Sequence, residues 1–161
     1  MNQDILWRLK DFDELTVHEY HDIVHVREDV FIVEQNCPFL DCDGKDPLCS
    51  HLMGWVDGKL AAYTRIVPPG VMFETGSIGR VVTARAFRNH GFGKELMNKS
   101  IEVAVDMGYT DLTIGAQYYL LKFYQSFGFK EPWKYHFIQG TDLGKLRKSS
   151  LKKLEGLSHT A

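Results

Sequence analysis

The stretch VVTARAFRNHGFGKELM at residues 81–97 decides the fold, because it joins a strand pattern to a helix pattern through two glycines. A glycine inside a helix costs roughly 0.5–1 kcal/mol relative to alanine, yet Gly91 and Gly93 stand where the helix begins. One explanation is a tight turn and nothing more. The other is that a ligand approaches the bare backbone there, since the amides at a helix N-terminus favour a phosphate.

The pattern Arg88-x-x-Gly91-x-Gly93 narrows the class of phosphate ligand. A Walker A loop is excluded, because no Gly-Lys-Ser/Thr follows the glycines. A dinucleotide fingerprint needs a third glycine and an acidic residue about twenty positions further on, and this sequence fits it poorly. The pyrophosphate of another cofactor is therefore the expected ligand. A nucleotide-binding domain is the alternative, which ligand preference would distinguish.

The composition is that of an ordinary globular domain, with 44% hydrophobic and 25% charged residues among 161. A net charge of −2 excludes a general nucleic-acid binder, whose domain should be basic. No apolar run is long enough to predict a membrane span, and the N-terminal residues lack a signal-peptide pattern. Three cysteines without an export signal predict reduced thiols and a cytoplasmic protein.

Residues 36–50 form a predicted loop that contains all three cysteines, Cys37, Cys42 and Cys49. The cysteine spacings of five and seven residues match no zinc pattern. The segment DCDGKD also fails the calcium loop, because its glycine comes too early and no glutamate follows at the twelfth position. We therefore expect no metal here, only a loop rich in turn-forming residues.

Periodicity elsewhere predicts alternating strands and helices. Thr16 and Glu19 have the spacing of a capping box at the start of a first helix, which is one bent helix or two short ones in succession. The pair Asp57-Gly58 between two strand patterns is typical of a type I′ hairpin. The other predicted elements are strand 5–10, strand 77–83, helix 92–107, strand 112–117, a short helix ended by Gly128 and a final strand 133–138.

This order predicts an α/β fold with a single domain. An antiparallel meander would be followed by a βαβ unit in one mixed sheet, with helices on both faces. We expect the domain to span residues 1–140. Residues 141–161 are locally basic and are expected to form a C-terminal extension, either a tail or a short helix.

Four segments together resemble the GNAT superfamily of acetyl-CoA-dependent N-acetyltransferases, namely RVVT, Arg88 to Gly93, TIGAQ and LLKFYQSFGF. In the front half, REDVFIVEQNCPFLDCDGKD followed by His51 is similar to the ElaA-like branch of that superfamily. The resemblance covers about residues 5–130. It implies two neighbouring parallel strands that splay apart, acetyl-CoA as co-substrate, and direct transfer of an acetyl group to a primary amine of a small molecule or protein.

The resemblance also assigns residues to the cofactor. The backbone of Val81, Val82 and Thr83 would pair with the pantetheine arm like an added strand, and the amides of residues 89–94 would hold the pyrophosphate. Tyr124 would protonate the departing thiolate of coenzyme A, with simple core packing as the alternative. Many relatives have Asn where this chain has Gln117. The full implied set is Val81, Val82, Thr83, Arg88, Asn89, His90, Gly91, Phe92, Gly93, Lys94, Gln117 and Tyr124.

The general base is left open by the sequence. An attacking amine is protonated at neutral pH and must lose a proton before or during its attack on the thioester. Glu34 could accept that proton or bind the cation of the substrate, and His51 has a suitable intrinsic pKa. Asp41, Asp43 and Glu74 are further options, and ordered water is another. Each of these side chains could instead be an ordinary solvated group.

The expected partners are acetyl-CoA and a small-molecule or peptide amine, with no nucleic acid, no membrane and a possible homodimer. Acidic residues in the stretch 34–46 hint at a cationic amine. The alternative function is a non-catalytic acyl-CoA-binding or partner-binding module on the same fold. Gln117 and the unusual C-terminal stretch favour that alternative.

Overall fold

A computed structural model describes residues 4–130, 136–138 and 141–148 of the chain. Its strands and helices are, in chain order, β1 (Leu6–Asp11), α1 (Val17–Arg27), β2 (Ser50–Val56), β3 (Lys59–Val67), β4 (Gly76–Thr83), α2 (Phe92–Asp106), β5 (Leu112–Gln117), α3 (Leu121–Gln125), β6 (His136–Ile138) and β7 (Thr141–Lys148). The strands and helices predicted up to residue 130 are confirmed. In the predicted final strand, residues 136–138 form β6, and residues 133–135 lie outside the described part.

The described strands form one seven-stranded sheet in the order β1-β2-β3-β4-β5-β7-β6. Neighbouring strands are antiparallel except β4 and β5, which are parallel and joined by α2. Helix α1 packs on Met53 and Tyr63, whereas α2 packs on Leu52 and Ala62. Successive residues of a strand point to opposite faces, so the two helices cover opposite faces of the sheet. The predicted mixed sheet is therefore confirmed.

The prediction of a tail or a short helix is wrong for residues 141–148, which form strand β7. This strand lies between β5 and β6 and pairs along the whole of β5, so the sheet continues past the expected end of the domain. Leu143 and Leu146 have a spacing that suits a helix. The open edge of β5 needs hydrogen-bond partners, however, and this tertiary requirement outweighs the local preference. Residues 149–161 lie outside the described part.

The first helix begins with the predicted capping box. Thr16 Oγ1 accepts the amide of Glu19 at 3.0 Å, and Glu19 Oε1 accepts the amide of Thr16 at 2.8 Å. Helix α1 then continues without a break into a wider, π-helical segment at Glu28–Glu34. The sequence allowed one bent helix or two short ones, and the structure has one continuous helix. Segments of π-helix are rare and often occur at functional sites.

The turn between β2 and β3 is the predicted hairpin. Asp57 has φ of 48° and Gly58 has φ of 76°, so both central residues are left-handed, as a type I′ turn requires. The hairpin sets the register next to the turn, where Val56 pairs with Lys59, and a bulge at Gly54 and Trp55 then shifts it by one residue. After this shift His51 on β2 lies opposite Arg65 on β3.

Strands β4 and β5 are bonded only where they begin. Gly76 pairs with Leu112 and Ser77 with Thr113, and no later described residues of the two strands pair. The strands therefore separate towards their C-terminal ends. We call the space between them the β4–β5 gap.

A bulge in β4 lies where the gap opens. On the side of β3, Tyr63 pairs with Val82 but Arg65 pairs with Gly79, so β4 contains one extra residue. Arg80 lies in this bulge with φ of 52°, a left-handed conformation that is uncommon for a residue with a side chain. A bulge bends its strand and increases the twist, which turns β4 away from β5.

The loop between α1 and β2 places three carboxylates against three arginines. Its centre is Asp46, which is 1% exposed. Arg27 Nη1 donates to both carboxylate oxygens of Asp46 at 2.9 Å, Arg65 Nη1 donates to one of them at 3.0 Å, and Tyr20 donates at 2.7 Å. We call the full set the arginine–aspartate network, and its members are Arg27, Arg65, Arg80, Asp41, Asp43 and Asp46.

The other two carboxylates join the loop to the sheet. Asp41 accepts hydrogen bonds from Arg27 Nε at 2.9 Å and from Arg80 Nε at 2.7 Å. Asp43 accepts two from Arg65, at 2.8 and 2.7 Å. These arginines belong to α1, β3 and β4, so the network attaches one loop to three elements. The interpretation of this loop as merely rich in turn formers was incomplete.

His51 is enclosed beside the network and is 0% exposed. Its Nε2 lies 3.0 Å from the carbonyl oxygen of Asp46, which can only accept, so Nε2 carries the proton. Its Nδ1 then accepts from the hydroxyl of Tyr63 at 2.7 Å. Burial lowers the pKa of His51 below its ordinary value, which is consistent with a neutral ring.

The buried centre of the network gives a stability prediction. Asp46→Asn removes the charge that balances Arg27 and Arg65, both of which are at most 1% exposed. Removing one partner from a buried ion pair costs about 3–5 kcal/mol. Because Arg27 keeps Asp41 and Arg65 keeps Asp43, the free energy of unfolding in urea at pH 7 should fall by about 3 kcal/mol, the lower end of that range. The exposed control Asp13→Asn should change it by less than about 0.5 kcal/mol. A loss below about 1 kcal/mol for Asp46→Asn would show that the network is not needed for stability.

A second prediction concerns acid. The pKa of His51 is lowered in the folded protein, whereas in the unfolded chain it has its ordinary value of about 6.5. Below a pH of about 6.5 the unfolded chain therefore binds more protons at this residue than the folded protein does. The free energy of unfolding should therefore decrease as the pH falls below about 6.5, by up to about 1.4 kcal/mol per pH unit, until the folded-state pKa is reached. His51→Gln should remove this contribution, and the exposed control His21→Gln should retain it. Urea unfolding between pH 7.5 and pH 5 measures both, and equal slopes in all three proteins would contradict the assignment.

Candidate functional site

The loop after β4 enters α2 through left-handed backbone conformations. Asn89 has φ of 67°, and Gly91, the N-cap of α2, has φ of 77°. The first helical hydrogen bond runs from the amide of Glu95 to the carbonyl of Gly91 at 3.2 Å. The four amides of residues 91–94 consequently have no backbone acceptor among the described residues. With the positive end of the helix dipole behind them, these amides have the donors and the electrostatic potential that suit an anion.

The backbone requires glycine at only one of these two positions. At Gly91 an added Cβ would meet no atom within 4 Å, so the positive φ is what favours glycine there. At Gly93 an added Cβ would lie 3.7 Å from Thr83 Oγ1, which is an ordinary contact distance. The loop therefore contains both a tight turn at Gly91 and backbone amides without acceptors. The two explanations for the glycines, a turn and the approach of a ligand, are compatible.

The β4 wall of the gap offers backbone groups without a strand partner. Val82 packs in the core with Tyr63, whereas Val81 and Thr83 are half-buried. In this part of β4, Gly79, Val82 and Thr83 pair with β3 on one side, and no described strand pairs with the other edge of residues 79–83. The N–H and C=O groups of that edge are available to an extended ligand.

Tyr124 lies on α3, just after the β5 wall. Its side chain is 4% exposed and packs edge-on against Phe123 and Phe129, with ring centroids 5.2 and 6.4 Å apart. Burial raises the pKa of Tyr124 well above its ordinary value, so the phenol stays protonated at neutral pH. This environment suits a proton donor, and it equally suits a residue of the core.

The end of the first helix bridges the two walls. Glu34 accepts two hydrogen bonds from Arg88, at 2.7 and 2.6 Å, and Gln35 hydrogen-bonds Gln117 at 3.1 Å. These contacts join residues 54 and 82 positions apart in the chain. The sequence singled out Glu34, Arg88 and Gln117 separately but missed their pairing and missed Gln35. The rare π-helical segment before Gln35 was not recognisable from the sequence pattern.

Asp41 and Asp43 are not available as bases. Both carboxylates already accept hydrogen bonds from arginines of the network. Burial by itself would raise the pKa of Asp43, but the hydrogen bonds from Arg65 outweigh it and hold the pKa well below its usual range. The hint of a cationic amine from the stretch 34–46 also loses most of its basis, because three carboxylates there are balanced by three arginines.

Neither His51 nor Glu74 is placed to act as the general base. Both ring nitrogens of His51 are engaged and the side chain is fully buried, so it has no lone pair free for a substrate. Glu74 precedes β4, at the end where β4 and β5 are still bonded, away from the open gap. Glu34 is the one candidate that stands at the gap, and the hydrogen bonds from Arg88 lower its pKa.

Within the described ranges, no group of three or more His, Cys, Asp and Glu side chains is placed to hold a metal ion. None of the described helices combines the length and apolar character needed to cross a bilayer.

Known proteins with similar sequences or structures share the fold described above. The sequence pattern of the Acetyltransferase (GNAT) family matches residues 9–129. The protein ElaA of Escherichia coli is 39% identical over 129 residues, which cover 78% of this chain and 84% of ElaA. The crystal structure of ElaA has a TM-score of 0.83 with this chain at 34% identity, covering 91% of this chain and 100% of that one.

Two further structures extend the comparison. An acyl-CoA N-acyltransferase from Pseudomonas aeruginosa has a TM-score of 0.85 at 31% identity and covers 91% of this chain and 100% of that one. A GNAT family acetyltransferase from Elizabethkingia anophelis, solved with acetyl-CoA bound, has a TM-score of 0.61 at 18% identity over 90% and 97% of the two chains, which shows a shared fold. The splayed parallel strands, the bare helix N-terminus and these matches together show that the chain belongs to the GNAT family of acetyltransferases.

Proposed function

We propose that this chain is an acetyl-CoA-dependent N-acetyltransferase that moves an acetyl group directly to a primary amine of a small molecule or protein. The observation that carries the proposal is the β4–β5 gap, which opens after two residue pairs and leads to the bare amides of residues 91–94. Membership of the GNAT family supports acyl transfer. The acetyl-CoA in the related structure from Elizabethkingia anophelis supports the choice of donor.

The residues around the gap fit an acyl-CoA. The amides of residues 91–94 and the helix dipole suit its diphosphate, and the loop before them contributes the positive charges of Arg85 and Arg88. The unpaired edge of residues 79–83 suits the amide groups of the pantetheine arm, which would add to the sheet like a strand. Gln117 lies at the end of β5, on the opposite wall.

The chain would contribute orientation and one acid to the reaction. Bound acetyl-CoA supplies an acetyl thioester, whose C–S bond breaks as the C–N bond to the amine forms. Tyr124 would give its hydroxyl proton to the departing sulphur, and its burial keeps that proton in place until then. The proton of the amine would pass to ordered water or to Glu34, which is a weak base for as long as Arg88 is bound to it and lowers its pKa.

A non-catalytic acyl-CoA-binding module is the second candidate. The position of Tyr124 favours this candidate. The side chain is 4% exposed and packs between Phe123 and Phe129, so packing in the core is enough to explain a tyrosine there. Both candidates bind acyl-CoA, so calorimetry with coenzyme A tests what they share. A protein that is stabilised by ATP or NAD but not by coenzyme A would contradict both.

A substitution at Tyr124 distinguishes the acetyltransferase from the non-catalytic binding module, because only the enzyme has a rate to lose. Tyr124→Phe keeps the ring and its packing but removes the proton, so thiol release from acetyl-CoA in the presence of primary amines should fall about 10²–10⁴-fold. Coenzyme A affinity should stay unchanged. The control Tyr109→Phe, at a ring that lies against Gly76 where the gap is closed, should keep its rate. A Tyr124→Phe protein as active as the wild type would remove Tyr124 from the reaction.

Direct transfer also predicts that the cysteines are dispensable for chemistry. Cys49 is 3% exposed, and burial raises the pKa of its thiol to about 11, so it carries little nucleophilic thiolate. Replacing Cys37, Cys42 and Cys49 together by serine should leave turnover close to that of the wild type. Circular dichroism checks that the variant is folded. A folded variant without turnover would show that an acyl-cysteine intermediate is required.

A further inference from the structure

The first helix ends across the mouth of the β4–β5 gap. The gap is closed at Gly76 and Ser77 and widens towards the C-terminal ends of its two strands. Glu34 contacts Arg88 in the loop that follows β4, and Gln35 contacts Gln117 at the end of β5. We call these two contacts the clasp. The clasp joins the two walls at the open end of the gap, far from the paired residues at the start of β4 and β5.

The clasp engages the arginine of the candidate phosphate loop. Both terminal nitrogens of Arg88 donate to Glu34, in the parallel two-bond geometry that an arginine also uses for a phosphate. The carboxylate of Glu34 therefore occupies both terminal nitrogens of Arg88, which lies three positions before Gly91 and would otherwise be open to a diphosphate at the amides of residues 91–94. Arg85 Nε lies 3.9 Å from Glu34, but Arg85 donates its hydrogen bonds to the Asp29 carboxylate at 2.9 and 3.0 Å, so the direct partner of Glu34 in this loop is Arg88.

A diphosphate is a stronger competitor than Glu34 for Arg88. It carries more charge than one carboxylate, and it also gains the bare amides and the dipole of α2, which Glu34 does not contact among the described residues. Glu34 and Arg88 are moderately exposed, at 31% and 39% of their side chains, so their ion pair is weak enough to exchange.

From this geometry we infer that Glu34 is an internal stand-in for the diphosphate, which the acyl-CoA displaces from Arg88 as it binds. Opening of the clasp then frees a carboxylate at the mouth of the gap only when the donor is present. Glu34 is thus a positioning residue, whose carboxylate becomes available to the acceptor amine only after acyl-CoA has bound. This inference rests on the proposed acyl-CoA site and adds how that site is held before the donor arrives.

The experiment compares coenzyme A with pantetheine, which lacks the diphosphate. Glu34→Gln weakens the pair with Arg88, so the affinity for coenzyme A in calorimetry should rise about two- to fivefold, as for loss of an exposed ion pair. The affinity for pantetheine should not change. Glu28→Gln is the matched control, because Glu28 is exposed on the same π-helical segment and loses the same charge. It should leave both affinities unchanged.

The outcomes separate this inference from the proposed function. If the wild type does not bind coenzyme A, the acyl-CoA site itself fails. If coenzyme A binds but Glu34→Gln binds it equally or more weakly, or if pantetheine gains as much as coenzyme A, the stand-in role is overturned. Glu34→Ala, whose side chain cannot hydrogen-bond Arg88 at all, should show at least the gain of Glu34→Gln. A loss of affinity in that variant would also overturn the inference.

Discussion

The arginine–aspartate network is the constraint on which the rest of the structure depends. A buried guanidinium without a partner costs several kcal/mol, so Arg27 and Arg65 hold the loop between α1 and β2 in place through its carboxylates. The same loop reaches β4 through Asp41, which binds Arg80 in its left-handed conformation. That conformation belongs to the bulge at which β4 leaves β5. The charges of one loop are therefore linked to the opening of the gap.

The network also connects the gap to its clasp. Arg27 ends the regular part of α1, and the helix continues from there without a break to Glu34. Contacts that anchor Arg27 therefore also determine where Glu34 and Gln35 lie. The opening of the gap and the end of the first helix are thus both attached to one set of ion pairs. A rigid support of this kind suits a site whose side chains must meet a ligand at fixed distances.

The features that the sequence predicted correctly are local ones. The capping box at Thr16 and the left-handed pair at Asp57 depend on a few neighbouring residues, and so does the glycine at the N-cap of α2. The features that were missed depend on residues far apart in the chain. Strand β7 is set by the open edge of β5, and Asp41, Asp43 and Asp46 looked like turn formers because their arginine partners are remote in sequence. Spacing within a segment carries no information about such partners.

Burial and ion pairing act in opposite directions on the two groups that could move a proton at the gap. Burial raises the pKa of Tyr124, which keeps its proton, whereas the hydrogen bonds from Arg88 lower the pKa of Glu34, which keeps its charge. This lowered pKa belongs to the state in which Glu34 is paired with Arg88, where its charge is already balanced. Once the diphosphate has displaced Glu34 from Arg88, the freed carboxylate is able to hold the ammonium group of the substrate. The chain's contribution then lies in placing the two reactants and neutralising the departing sulphur, while the proton of the amine leaves through water.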